Sequence, residues 1–349
     1  MQRRPALFAL RAAAVRAVAL ALLACAPATA GAAEVNLYST REPGLINPLL
    51  AKFSAGTGIK VNTVFLNTGL PERVAAEGAS SPADVLMVVD IGTLMDTVRR
   101  GLTQPVASPA LAEAIPANLR DPAGHWFTLS LRARAIFVSK DRVTDLPATY
   151  ESLADPRWKG KFCMRSGQHP YNTALFAAKL AKNGEAETLA MLTGYKANLA
   201  RRPAGGDRDV ARDILAGTCD AGLANTYYAG LMLSGAGGEE QKRWGEAVRV
   251  VLPTFKDGKG THVNVSAAAV ARNAPNKDAA IKLLEFLVSP EAQKAYAEVN
   301  FEYPVRAGVP VHPILAGFGP LKVDDVPLPA IAAERERASM LVDRAGLDR

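Results

Sequence analysis

Along almost the whole chain, short apolar segments alternate with segments whose apolar residues recur at helical spacing. This rhythm limits the fold more than any other feature. "EVNLYST" alternates as a strand, with Arg41 and Pro43 in the loop after it, and "INPLLAKFSAGTG" carries a helical pattern that ends at glycine. "IKVNTVFL" is a strand, "LPERVAAEGASS" a helix closed by Gly78, and "ADVLMVVD" a buried strand ending in Asp90. "IGTLMDTVRRG" continues as a helix and "HWFTLSLRARAIFVSK" as a long alternating strand. The second half repeats the rhythm with strands "GKFCMRS", "CDAGLAN", "VRVVLPT" and "VNVSAAAVA". Its helices are "PYNTALFAAKLAKNG", "DVARDILAGT", "TYYAGLMLSG" and "DAAIKLLEFLVSPEAQKAYAEV", and the tail "LPAIAAERERASMLVDRAG" is an amphipathic helix. Strands alternating with helices predict an α/β fold on a parallel sheet. No repeat, low-complexity tract or Gly/Ser linker interrupts it. Two lobes without a linker require a chain that crosses between them along extended segments, and those around 127–139 and 248–255 are the candidates. The expectation is an α/β two-lobe clamp with a ligand cleft between lobes joined by crossing strands.

The first thirty residues read differently. Arg3, Arg4, Arg11 and Arg16 precede an apolar run from Ala17 to Cys25, and Ala28-Thr29-Ala30 is a small-x-small cleavage site. This predicts a secretory signal peptide over 1–30, its apolar run too short to cross a bilayer. Leu22-Leu23-Ala24-Cys25 approximates a lipoprotein box, but its second leucine fits poorly. Export to a bacterial periplasm follows. Removing 1–30 takes away four arginines and no acid, so the formal charge falls from +7 to +3 over the 319 residues that remain. Charge so small and scattered offers nucleic acid no basic stripe. Two cysteines are left, Cys163 and Cys219. In an oxidising compartment an even pair reads as a disulfide, the other reading being two buried free thiols.

Two of the eight tyrosines are adjacent, Tyr227 and Tyr228 in "LANTYYAGLM". Neighbours on a helix point about 100° apart, so a structural pair would serve two surfaces. The first turn of a helix at a cleft edge lets both hydroxyls face one point. Two segments share that layout, "KFCMRSGQHPYNTALF" and "TCDAGLANTYYAGLM", each with a tyrosine eight residues after its cysteine. Pro170 suits a first helical position and Asn225 an N-cap. If the strands are parallel neighbours, the cysteines lie level at one end and the tyrosines at the other, where open α/β sheets bind ligands. Tyr171, Tyr227 and Tyr228 then converge on one crevice.

A neutral phenol, with a pKa near 10, is a poor ligand for weakly charged metals. As phenolate it is a hard anionic oxygen, and a highly charged hard cation can displace its proton. Fe³⁺ is the biologically common ion of that kind. Three phenolates balance its charge and leave room for an anion or water, which helix N-termini suit.

With these residues, the chain resembles the bacterial ferric-ion-binding periplasmic proteins, solute-binding proteins of iron ABC transporters with a transferrin-like clamp. The resemblance covers essentially everything after the signal and is strongest in "NLYSTR", "SPADVL", "DPRWKGKFCMRSG", "YN", "LANTYY", "GTHVNVS" and "AIKLLEFLVSPEAQ". It implies a periplasmic-binding-protein clamp, capture of Fe³⁺ with carbonate or a similar synergistic anion, delivery to an inner-membrane ABC permease, and a monomer. The family's paired tyrosines and its tyrosine before Asn are iron ligands, which carries onto Tyr227, Tyr228 and Tyr171. Its first lobe often adds a His or Tyr just after "YSxR", where this chain has Glu42 and Pro43. That points to the subgroup relying on three tyrosines and an anion. Arg41, with Arg132 or Arg134, are the expected anion contacts through their planar donor forks. The expected lobes are 31–132 with 252–302, and 133–251 with 303–349, the second carrying the tyrosines.

Plainer readings stand beside these. The tyrosine pair could be core aromatics, and Arg132 and Arg134, on one strand face, a solvated pair. Tyr38 reads as packing, His169 as a solvated loop residue and His262 as support for the first lobe's sheet. Cys163 with His169 could suggest a nucleophile and base. Cys163, however, lies mid-strand, and neither paired carboxylates nor a Ser/His/Asp set frames it, which argues against an enzyme. A clamp for another small anion or organic cofactor keeps the fold and loses the iron.

Overall fold

The computed structural model describes residues 33–349, so the expected signal peptide lies outside the described residues. The first elements are β1 (Glu34–Ser39), α1 (Pro43–Thr57), β2 (Lys60–Phe65), α2 (Leu70–Glu77), β3 (Val85–Val88) and α3 (Ile91–Arg99). Short β4 (Thr103–Gln104) and α4 (Pro109–Ala114) lead to the long β5 (Phe127–Ser139). Next come β6 (Phe162–Cys163), α5 (Pro170–Asn198), α6 (Asp207–Leu215), β7 (Ala221–Asn225), α7 (Thr226–Leu233), α8 (Glu239–Glu246) and β8 (Val248–Val251). The chain then forms β9 (Val263–Ala271), α9 (Lys277–Leu287), α10 (Pro290–Asn300), β10 (Tyr303–Pro304), α11 (Pro313–Ala316), α12 (Leu328–Ala333) and α13 (Arg335–Arg344).

The strands join in the order β2-β1-β3-β9-β5-β7-β6, with β4 on β9, and β8 and β10 on β5. β1 runs parallel to β2 and β3, and β6 to β7. β9 and β5 are antiparallel to their neighbours. The sheet is therefore mixed rather than parallel. A helical crossover returns a strand parallel, but β5 and β9 are the segments that run between lobes. Ala133 is the last residue of β5 paired with β9, and Arg134 the first paired with β7. One strand thus belongs to both lobes of a two-lobe periplasmic-binding-protein clamp. The second crossing leaves β8, which pairs with the end of β5, and enters β9 through 252–262.

All thirteen residues of β5 are buried. Its alternation therefore marks two covered faces, and Arg132 and Arg134 are not a solvated pair. Local stops follow glycine where φ is positive: Gly58 caps α1 at φ 71°, its N–H bonded to Ser54 O, and Gly184 interrupts α5 at φ 79°. Three helix boundaries also needed correction. Pro43 opens α1 instead of lying in a loop. The helix expected over 278–299 is two, because Pro290 starts a new one and the Ser289 hydroxyl caps it by accepting from Ala292 N at 3.2 Å. The tail is also two helices, α12 and α13. Among the described residues no helix is long and apolar enough to cross a membrane.

Candidate metal site

β6 and β7 are parallel neighbours, with Cys163 level with Gly222. Cys219 precedes its strand, so the two cysteines are not level and the equal eight-residue offsets are not a shared geometry. In the first arm a turn fills the offset between β6 and α5; in the second, β7 itself fills it. Cys163 and Cys219 are nonetheless joined in a disulfide with Cα atoms 5.9 Å apart. The chain closes up here because residue 222 is glycine: a Cβ there would stand 2.5 Å from the Cys163 carbonyl oxygen.

Both strands deliver helix starts to the same edge. His169 precedes α5 and caps it, its Nδ1 accepting from Tyr171 N at 3.2 Å while its ring stands edge-on to Tyr171. It is a capping residue, not a solvated one, and burial, then Arg165, pushes its pKa down to about 4. Asn225 sits at the N-cap of α7 but makes no side-chain cap. The Tyr171 and Tyr227 hydroxyls face each other at 3.5 Å, and the Tyr227 and Tyr228 rings stack with centroids 4.1 Å apart. Among the described residues none of the three hydroxyls bonds a carboxylate or carbonyl. The other five tyrosines, Tyr38, Tyr150, Tyr195, Tyr296 and Tyr303, are buried, whereas these three are half-buried at the rim. Tyr227 and Tyr228 pack against the core from its rim rather than inside it.

Burial, then the Tyr171 and Tyr228 phenols, hold the Tyr227 hydroxyl well above the usual tyrosine range, with Arg132 pulling the other way. Tyr228 is also raised, by burial and then by Asp207, while Arg165 opposes. These are protonated phenols at neutral pH, and only a strongly charged cation could displace their protons.

The arginines divide by partner. Arg132 spends one nitrogen on the Val89 and Val265 carbonyls and lies 5.7 Å from the Tyr171 ring centroid. Arg165 lies 5.2 Å from the same centroid, and exposed Arg208 lies 5.1 Å from that of Tyr228. Arg134 instead turns both terminal nitrogens to neighbours around β7, bonding Asp207, Asn225, Asn172 and the Leu223 carbonyl. Arg41 also departs from expectation. Its Nη2 donates to both Glu302 oxygens and to Ser266 Oγ, each at 2.7 Å, so a protein carboxylate already pairs the charge assigned to an anion. Despite burial, Arg41 and then Arg132 keep the Glu302 carboxyl below its usual range. Glu42 and Pro43 lead into α1.

Other concavities and clusters do not compete. A 460 Å³ concavity lined by Val74, Arg100, Leu102 and Arg272 shares no residue with the tyrosines. Asp257, Asp324 and Asp325 lie close enough to hold a cation, but the Lys182 ammonium already sits among them at 2.5 to 3.2 Å.

Residues 80–316 match the family model of the bacterial extracellular solute-binding proteins. This chain belongs to that family. It is 43% identical to iron uptake protein A1 of Synechocystis sp. over 315 residues, covering 90% of this chain and 87% of that protein. The structure of a Bordetella ferric binding protein superposes with a TM-score of 0.86 at 58% identity, covering 90% of this chain and all of that one. A Trichodesmium structure solved in complex with iron and citrate ligands gives 0.85 at 41% identity, over 90% and 99% of the two chains. Within this solute-binding protein, sequence reasoning missed Arg165, Arg208, Asn172 and Asp207. Asp207 had a signal, as an acid opening a helix after two glycines, but nothing local points Arg165 or Arg208 at a tyrosine.

Proposed function

We propose that this protein captures Fe³⁺ in the periplasm through the Tyr171, Tyr227 and Tyr228 phenolates with carbonate or a similar synergistic anion, and delivers it to an inner-membrane ABC permease. The observation that carries the reading is the convergence of three phenols from two helix starts, none of which, among the described residues, bonds a carboxylate or carbonyl. Fe³⁺ would displace three protons and be balanced by three phenolates. Arg132, over Tyr171 and bonded only to backbone carbonyls, stabilises phenolate there and is the anion contact; Arg165 and Arg208 add positive charge at the rim. Arg41 supports from behind, through its pairing with Glu302. The names of the relatives, an iron uptake protein and a ferric binding protein, favour iron over another small anion or organic cofactor, and transport over catalysis.

We assign the lobes as 31–132 with 252–302, and 133–251 with 303–349, a boundary one residue before the partner change of β5 between Ala133 and Arg134. Residues 303–304, which pair with Leu131 and Ser130, are an exception that stays on the first lobe's sheet. A ferric titration followed by absorbance tests the function. The parent protein should develop a visible phenolate-to-iron band, and Tyr→Phe at 171, 227 or 228 should shift or bleach it and weaken iron retention with the fold intact. Unchanged colour and stoichiometry in all three variants would end the reading. Protons compete for the phenolates, so retention should also weaken as pH falls from neutral.

A further inference from the structure

We infer that Arg134 is a positioning residue whose guanidinium ties together the helix starts carrying the tyrosines and so sets the spacing of the phenols. The inference rests on the ferric reading above. Arg134 Nη2 donates to Asn172 Oδ1 at 2.7 Å, and Asn172 adjoins Tyr171 in the first turn of α5. Arg134 Nη1 donates to Asn225 Oδ1 at 3.1 Å, and Asn225 is the N-cap of the helix carrying Tyr227 and Tyr228. The same nitrogen reaches Asp207 Oδ2 at 2.5 Å, and that oxygen also accepts from Asn225 N at 2.8 Å. Arg134, Asn172, Asn225 and Asp207 are all buried, so each of these bonds is shielded from water.

Two details separate this from ordinary packing. Asn225 has the side chain to cap α7, yet turns it to Arg134 and leaves the cap unmade. Asn172 is held at both ends, its Nδ2 donating to the Arg165 and Ser166 carbonyls at 3.1 and 3.0 Å. Arg134 itself is fixed by the backbone, being the residue at which β5 takes β7 as partner. A rigid, planar, multi-donor fork can hold both asparagines at once, which a lysine ammonium on a flexible stem cannot.

The test compares the full-length exported protein with Arg134→Lys, which keeps the charge beside Asp207 but loses the fork, and with Asn172→Ala, which cuts the α5 branch together with the bonds to the Arg165 and Ser166 carbonyls. Each is loaded with Fe³⁺ in bicarbonate. The charge-transfer maximum is measured, with iron affinity by competition against citrate. Amide hydrogen exchange is measured without iron. The expected result is a shifted band and about 10- to 100-fold weaker iron binding, the usual cost of removing a residue that orients a ligand. Exchange should quicken at 171–173 and 226–228 and remain slow in β5 and β7. An unmoved band and affinity in both variants would overturn the inference, as would faster exchange spread through the whole lobe. If the parent takes up no coloured iron, the ferric reading fails by itself; unchanged exchange at the two turns would then still refute the positioning role.

Discussion

The two faces that meet along β5 are built in opposite ways. On the first-lobe side, Arg41 is buried against Glu302, Ser266 and the Tyr296 ring, and Ser130 donates to Glu302. On the second-lobe side, the half-buried Tyr171 and Tyr227 turn their hydroxyls toward one another, Tyr228 stacks on Tyr227, and among the described residues no carboxylate or carbonyl accepts from the three. A buried charge must be paired or it destabilises the fold, and here the Arg41 charge is paired by Glu302 within the same cluster. Half-buried phenols can wait for a ligand because water still satisfies them. The difference teaches where a substitution will be felt: in stability on one side, in ligand retention on the other.

The largest expected effect that would break this contrast is at Arg41. Arg41→Ala leaves Glu302 buried without its ion-pair partner, and should cost about 3–5 kcal/mol of stability, read as a fall in the urea midpoint. A midpoint that holds while ferric colour fades would move Arg41 to the ligand side.

A second effect, spread over several pH units, concerns His262, another buried residue. Its backbone N–H donates to the Tyr150 hydroxyl at 3.1 Å, and burial, then Arg134, pushes its pKa down to about 3 from 6.5. Between those values the unfolded chain binds a proton that the folded one refuses. Its contribution therefore lowers stability as pH drops from about 6.5 toward 3, by up to about 1.4 kcal/mol per pH unit, and is flat above. Denaturation of His262→Gln across that range should show a shallower slope than the parent. Parallel slopes would contradict it.

The smallest effect sharpens the comparison between tyrosines. The Tyr38 hydroxyl donates to Glu77 at 3.0 Å, in the packing role expected of it. Tyr38→Phe should cost about 1 kcal/mol, the worth of one hydrogen bond, and leave the ferric band untouched. A bleached band in that variant would remove the distinction between packed and ligand-facing phenols.

Much of the architecture was legible because it follows from local pattern. β9 falls on "VNVSAAAVA", and α2 and α3 fall within their expected segments, since apolar period and glycine stops act over a few residues. The errors came where a local signal had two meanings. Pro290 can interrupt a helix or begin one, and with Ser289 before it as a cap it begins one. The matching eight-residue offsets suggested a shared register, but spacing along a chain says nothing about whether a strand or a turn fills it.

The sequence by itself determined the strand–helix order, the crossing role of 127–139 and the candidacy of Tyr171, Tyr227 and Tyr228, because these rest on residue type and periodicity. It could not separate Arg132 from Arg134, which period two places on one strand face. Only the tertiary structure decided that. β5 exchanges β9 for β7 between Ala133 and Arg134, so side chains two residues apart enter different surroundings: carbonyls of the first lobe for Arg132, and Asp207 with two asparagines for Arg134. The partners that fix a charge are distant in sequence, and they meet only when the sheet has formed.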